Sequence, residues 1–190
     1  MEPFVTMGLV LKETRYREAD RILTILTPKL GVITAMAANS LRLKSKLFSA
    51  CGLFCYSEFA ITLGRKTNFI DSAAVSKVFH GLSKTVEGTA LAAYLSELTI
   101  TLAPEPPESA DCLRLLLNTL HLLCKGTKPL VQIKAVFELR ALSISGYMPN
   151  ILACANCGTY ETPVMYFDVD GGCIYCENCP KAGAVAVPKT

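Results

Sequence analysis

Tryptophan is absent from this 190-residue chain, histidine occurs only twice, and charged residues make up 18%. His80 and His121 stand alone. Neither begins an H-x-E motif and there is no H-E-x-x-H, which excludes the familiar histidine-based zinc deaminase and protease signatures. No P-loop and no G-x-S-x-G occurs either. Glu108 and Asp111, close to Pro107, read as charges at a helix start and not as an acid/base pair. These absences point away from an enzyme. No uninterrupted apolar run reaches the roughly 18 residues of a membrane helix. The opening residues include Glu2 and Lys12 and contain no apolar signal core. Nine cysteines, an odd number with no export signal, suit a reducing cytoplasm and not a disulfide framework.

Four of those cysteines form the sharpest motif: Cys154-Ala-Asn-Cys157 and Cys176-Glu-Asn-Cys179. Two C-x-x-C pairs at this separation match a four-thiolate zinc site, each turn aiming two sulfurs at one metal ion. Gly158 follows the first pair, where a knuckle needs positive φ. With four thiolates, one structural Zn²⁺ has no open position for water. Cys173-Ile-Tyr-Cys176 is a further C-x-x-C, so Cys173 is an alternative ligand to Cys176 or Cys179. The preferred set is Cys154, Cys157, Cys176 and Cys179. Cys51, Cys55, Cys112 and Cys124 lie in apolar surroundings and read as small core residues.

The front of the chain reads as strands: Phe4 to Leu11, Arg21 to Thr27, Gly31 to Ala37, Leu53 to Leu63 and Asn68 to Val75. Thr27-Pro28-Lys29-Leu30-Gly31 is a turn between the second and third. Five short strands in this space predict a closed OB-type barrel, which leaves no exposed edge. After His80 the period becomes helical. Leu91, Leu95, Leu98 and Leu102 mark one helix, ended by Ala103-Pro104-Glu105-Pro106-Pro107. A second runs from about Ser109 to Lys125, capped by Gly126, and a third from Pro129 to about Ser145. Lys134 and Glu138 are spaced to pair on its surface. The fold class is therefore α+β. Its expected parts are a barrel over 1–78, a helical domain over 79–150, a zinc module over 151–182 and a tail over 183–190.

Charge is unevenly spread. Residues 1–66 hold ten Lys/Arg against five Asp/Glu, and residues 67–190 nine against eleven. This asymmetry suggests an anionic partner for the barrel. Arg42, Lys44 and Lys46 alternate with Leu43 and Ser45, and in an extended segment would line one face as a comb for phosphates. An edge strand guarded by cations would look the same. Lys12, Arg15, Arg17 and Arg21 flank the first two strands, with Tyr16 placed either to stack on a base or to fill the core. Arg65 and Lys66 sit on a turn, as candidate contacts or as an ordinary solvated loop.

In their order and spacing these pieces resemble the bacterial RecO family of recombination mediators. The resemblance is carried by Val10-Leu11-Lys12, by Tyr16-Arg17-Glu18-Ala19-Asp20-Arg21-Ile22-Leu23, and by Leu26-Thr27-Pro28 with Gly31-Val32-Ile33. It continues through Arg42-x-Lys44-Ser45-Lys46-Leu47, Glu138-Leu139-Arg140 and Gly146-Tyr147-Met148-Pro149 before Cys154-x-x-Cys157-Gly158, with Gly171-Gly172 before the last pair. It implies a non-catalytic DNA-repair and recombination protein that binds single- and double-stranded DNA and anneals complementary strands. The implied partners are RecR, single-stranded-DNA-binding protein and, indirectly, RecA, in the cytoplasm at the nucleoid. Family members usually carry glycine where Asn39 stands, have a more arginine-rich basic segment, and continue with helices beyond the last cysteine pair. Some lack the cysteines altogether. With only Pro180 to Thr190 remaining here, the expectation is either a naturally short chain or a truncated form, whose bundle would expose apolar faces. A protein-interaction scaffold and an RNA-binding OB protein are the rival readings.

Overall fold

The structure, a computed structural model, describes residues 3–160, 162–179 and 181–188. It divides into two compact units, with the boundary after Ser145. In the first, strands β1 (Phe4–Tyr16), β2 (Asp20–Thr27), β3 (Gly31–Ala37), β4 (Cys55–Thr62) and β5 (Asn68–Val78) close into a barrel in the order β1-β2-β3-β5-β4. A parallel contact between β3 and β5 completes the ring, and the other pairings are antiparallel. A short helix, α1 (Leu47–Ala50), lies between β3 and β4. Leu47 and Cys51 pack with Val10, Leu23, Ile25, Phe59 and Ile61 in the barrel interior. This is the expected OB-type barrel, with strands reaching further than the sequence suggested. β1 continues past Leu11 to Tyr16, and β5 past Val75 to Val78.

The helices are α2 (Val86–Leu102), α3 (Ser109–Lys125) and α4 (Leu130–Ile144). The Thr85 hydroxyl caps α2 by accepting the Gly88 N–H at 3.1 Å, and Gly126 ends α3 in the left-handed conformation at φ 64°. Leu113, Leu116, Leu120 and Leu123 of α3 recur at helical spacing and are buried. The Lys134–Glu138 pair forms at 2.9 Å.

Besides the barrel interior, a second core is shared between one side of the barrel and the helices. A register shift in β1 between Val10 and Lys12 breaks the alternation, so Leu9, Val10 and Leu11 are all buried. Val10 faces the barrel interior, while Leu9, Leu11 and Leu26 join Leu95, Leu113, Leu116 and Phe137 in a second cluster. The Ser109 hydroxyl donates to the Pro28 carbonyl across the same junction. The expected boundary at 78/79 is thus a change of secondary structure inside one packed unit.

The second unit begins at Gly146, where the sequence reading had placed it at 151. Its strands β6 (Asn150–Cys154), β7 (Val164–Asp168), β8 (Cys173–Cys176) and β9 (Val185–Pro188) form one sheet in the order β6-β8-β7-β9. The expected tail at 183–190 is corrected in part: Val185–Pro188 pairs antiparallel with β7, whose edge would otherwise be open. Residues 189 and 190 lie outside the described residues.

Because Leu95 packs in the cluster that also holds Leu9 and Leu26, Leu95→Ala should cost about 2–5 kcal/mol. Chemical denaturation should then show barrel and helices melting together, and amide exchange should speed up in both.

Candidate nucleic-acid interface and metal centre

The end of β1, the outer faces of β2 and β3, and the start of β5 bound an open groove of about 610 Å³. Its walls include Tyr16, Arg17, Arg65, Lys66 and Phe69, over a floor of Ile22, Thr34 and Met36. Alternation explains the floor. With Leu23, Ala35 and Ile70 buried inside the barrel, Ile22, Thr34, Met36 and Phe69 must face out. The turn before β5 is tight: a Cβ on Gly64 would lie 2.2 Å from the Thr67 carbonyl oxygen. Tyr16 and Phe69 are each 40% exposed, so Tyr16 is not barrel core. The Arg17 guanidinium lies 5.2 Å from the Tyr16 ring centroid. Phe69 escaped the sequence reading. Its signal was its place beside the inward Ile70.

The segment carrying Arg42, Lys44 and Lys46 is not extended, so the phosphate comb does not form. Successive turns fold it instead: Arg42 N–H to Asn39 O, Ser45 N–H to Arg42 O, and Phe48 N–H to Ser45 O. The three cations remain exposed on this loop. The loop is tied to the β1–β2 turn, with the Leu41 N–H donating to Ala19 O at 2.9 Å and the Asn39 N–H to Asp20 Oδ1 at 2.7 Å. Arg17 and the loop therefore belong to one end of the barrel. Arg15 is exposed but does not line the groove. Among the described residues, Arg15, Arg17, Arg42, Lys44, Lys46, Arg65 and Lys66 make no ion pair.

Two expected contacts are committed elsewhere. Lys12 pairs with Glu97 of α2 at 2.8 Å. Arg21 is only 5% exposed, and its guanidinium bonds to Glu13, Ser40, Leu47 and Phe48. A buried guanidinium whose three nitrogens are all bonded within the chain is closed to phosphate. Period-2 spacing held the clue: Arg21 shares a face with Leu23 and Ile25, both fully buried.

In the second unit, the sulfurs of Cys154, Cys157, Cys176 and Cys179 lie within 4.8 Å of one another. They could hold a metal ion. Cys173, the alternative ligand, stays outside the cluster at the start of β8, opposite Asp168. The first knuckle closes through the Gly158 N–H to Cys154 O at 2.9 Å, with Gly158 at φ 74°. The second closes through the Cys179 N–H to Cys176 O at 3.0 Å. The Cys157 N–H draws the Cys154 thiol down to about 6. The Thr159 hydroxyl lowers Cys157, while burial pushes Cys176 up to about 11. A cation at the centre would favour the thiolate at all four positions. The Asn156 side-chain amide donates to Cys179 Sγ at 3.3 Å, and Thr159 Oγ1 lies 3.1 Å from Cys157 Sγ. Neither support was anticipated from the sequence.

Comparison with known proteins places this arrangement. The family profile "Recombination protein O N terminal" matches residues 1–79, and "Recombination protein O C terminal" matches residues 84–190. The chain belongs to the RecO family. It is 34% identical to the DNA repair protein RecO of Dehalococcoides mccartyi (strain CBDB1) over 177 residues, covering 93% of this chain and 70% of that protein. The RecO of Caldicellulosiruptor bescii is 35% identical over 190 residues, covering 98% and 76% respectively. That of Acetivibrio thermocellus is 34% identical over 174 residues, covering 92% and 69%. Among the described residues, no helix is long and apolar enough to cross a membrane.

Asn39 has φ 55°, a left-handed conformation that glycine adopts freely and asparagine tolerates. Asn39→Gly should leave stability within about 1 kcal/mol, whereas β-branched Asn39→Val should cost about 1–2 kcal/mol or more. Thermal unfolding of both variants checks this.

Proposed function

We propose that this RecO-family chain is a recombination mediator that binds single- and double-stranded DNA at the basic end of its barrel. The observation that carries the reading is the groove itself, which brings Arg17, Arg65 and Lys66 together with two exposed aromatic rings, Tyr16 and Phe69. Cations that make no ion pair follow phosphates and release counterions, and rings stack on bases without reading sequence. A single strand can use both kinds of contact. A duplex keeps its bases stacked inside and can use only the phosphate contacts.

Annealing follows from the same chemistry. Two strands repel through their phosphates. A surface that screens this charge and holds one strand's bases loosely lets a complement compete for them. No bond is broken, so the activity is not enzymatic. By the family resemblance, the chain works with RecR and with single-stranded-DNA-binding protein to help load RecA, in the cytoplasm at the nucleoid. Tyr147, Met148, Leu152 and Tyr160 are exposed on the second unit and favour an additional role in protein contact.

For the metal centre we propose structural zinc. Four thiolates at about 2.3 Å from Zn²⁺ in a tetrahedron stand roughly 3.8 Å apart. Cys157 Sγ and Cys176 Sγ are 3.6 Å apart. Zinc would stabilise the fold of the second unit, since its binding energy is folding energy there.

Fluorescence anisotropy with a labelled oligothymidylate should show tight binding at low salt that weakens steeply as salt rises. Tyr16→Ala should cost about 1–3 kcal/mol on the single strand and little on a duplex. Absence of binding at low salt would overturn the reading, and a strong preference for RNA in competition would redirect it. Elemental analysis should find one zinc per chain. Because each thiol must shed its proton to bind the ion, zinc affinity should fall as pH falls, and chelation should open the second unit to protease before the barrel.

A further inference from the structure

We propose that Arg21 is a positioning residue: a buried clasp that fixes the loop bearing Arg42, Lys44 and Lys46 in the shape that meets a DNA backbone. This rests on the DNA-binding reading above, and it replaces the direct phosphate contact first expected of Arg21.

The geometry is specific to a guanidinium. Nη2 donates to Ser40 O at 2.8 Å and to Phe48 O at 2.8 Å, with a longer contact of 3.3 Å to Leu47 O. Nε donates to Ser40 Oγ at 3.1 Å, and that hydroxyl donates to Ala37 O at the end of β3. One side chain on β2 thus grips both ends of a loop, at Ser40 and at Leu47–Phe48. Everything between the two grips, residues 41–46, is the segment that carries the three exposed cations. Among the described residues, the loop's own turns aside, the hydrogen bond that reaches residues 41–46 is the one from the Leu41 N–H to the Ala19 carbonyl.

The clasp is also anchored electrostatically. Glu13 Oε2 lies 2.8 Å from Nη1 and forms an ion pair with Arg21. Cys51 stands nearby, but burial pushes its thiol up to about 12, so it stays neutral and adds no second anion. The Phe48 ring lies 5.9 Å from the guanidinium carbon and covers it. A lysine could hold one of these acceptors with its compact ammonium but could not span both ends of the loop with a planar fork.

The test compares Arg21→Lys, the triple variant Arg42→Ala/Lys44→Ala/Lys46→Ala, and the two combined. The readouts are anisotropy against salt with labelled oligothymidylate, and the rate of trypsin cleavage within residues 41–46 of the folded chain. The triple variant should lower the salt slope by up to roughly 2, at about 0.7 per lost single-strand contact. Arg21→Lys should keep the barrel's circular dichroism, speed cleavage in the loop, and lose a large part of the same slope. Added to the triple variant it should cause no further loss of affinity, because a clasp acts only through the cations it holds. Losses that multiply in the combined variant, or loop cleavage unchanged in Arg21→Lys, would overturn the proposal. If Arg21→Lys does not fold, Ser40→Ala carries the test, since it removes the Nε acceptor and leaves the guanidinium in place. It should speed loop cleavage and lower the slope in part, and no change in either refutes the clasp. The cleavage arm separates this idea from the DNA reading. A parent chain that does not bind DNA defeats the reading, while the clasp still stands or falls on the loop.

Discussion

A charge buried at the mouth of a closed barrel organises this molecule's basic face. Burying a guanidinium costs several kcal/mol unless its hydrogen bonds are met. Here its three nitrogens are met by the Glu13 carboxylate, by the Ser40 hydroxyl and carbonyl, and by the Leu47 and Phe48 carbonyls of α1. The bonds that stabilise the buried charge are the same bonds that give the loop its course. Asp20 adds a second tie by accepting the Asn39 N–H, and Asn39 supplies the left-handed turn that the course requires. Two acidic residues among the N-terminal cations, Glu13 and Asp20, are thus parts of its frame.

The barrel also owes its rigidity to what packs behind it. The β1 bulge turns Leu9 and Leu11 to one side and Val10 to the other, so a single strand serves two cores. Helices α2 and α3 cover that side, with α4 packed against them. The groove lined by Tyr16, Arg17, Arg65, Lys66 and Phe69 lies over outward positions of β2 and β3. The backbone beneath these exposed side chains is thereby held by strands and short turns.

Much of this was legible in the chain itself. Period-2 runs broken by Pro and Gly gave the barrel strands, leucines at helical spacing gave α2, and two C-x-x-C pairs gave the sulfur cluster. What could not be read depended on distant residues. Arg42, Lys44 and Lys46 alternate in sequence as a strand would, but the loop's path is set by Arg21 and Asp20, which lie about twenty residues earlier. Lys12 looked free until α2 brought Glu97 to it. Cys173 and Cys176 share one spacing with Cys176 and Cys179, and only the β7–β8 hairpin, which sets Cys173 opposite Asp168, separates them. Arg21 could have been read better, because its parity with Leu23 and Ile25 already pointed it inward.

The central claim is that nucleic acid lies on the basic end of the barrel, across the groove and the clasped loop. Hydrogen–deuterium exchange of the chain with and without a saturating oligothymidylate, at low salt, tests it most directly. The account predicts slowed exchange in the β1–β2 turn, in residues 39–47 and in residues 64–69, with α3 and α4 unchanged. Protection confined to the helices or to the cysteine module, with the barrel end unaffected, would contradict it.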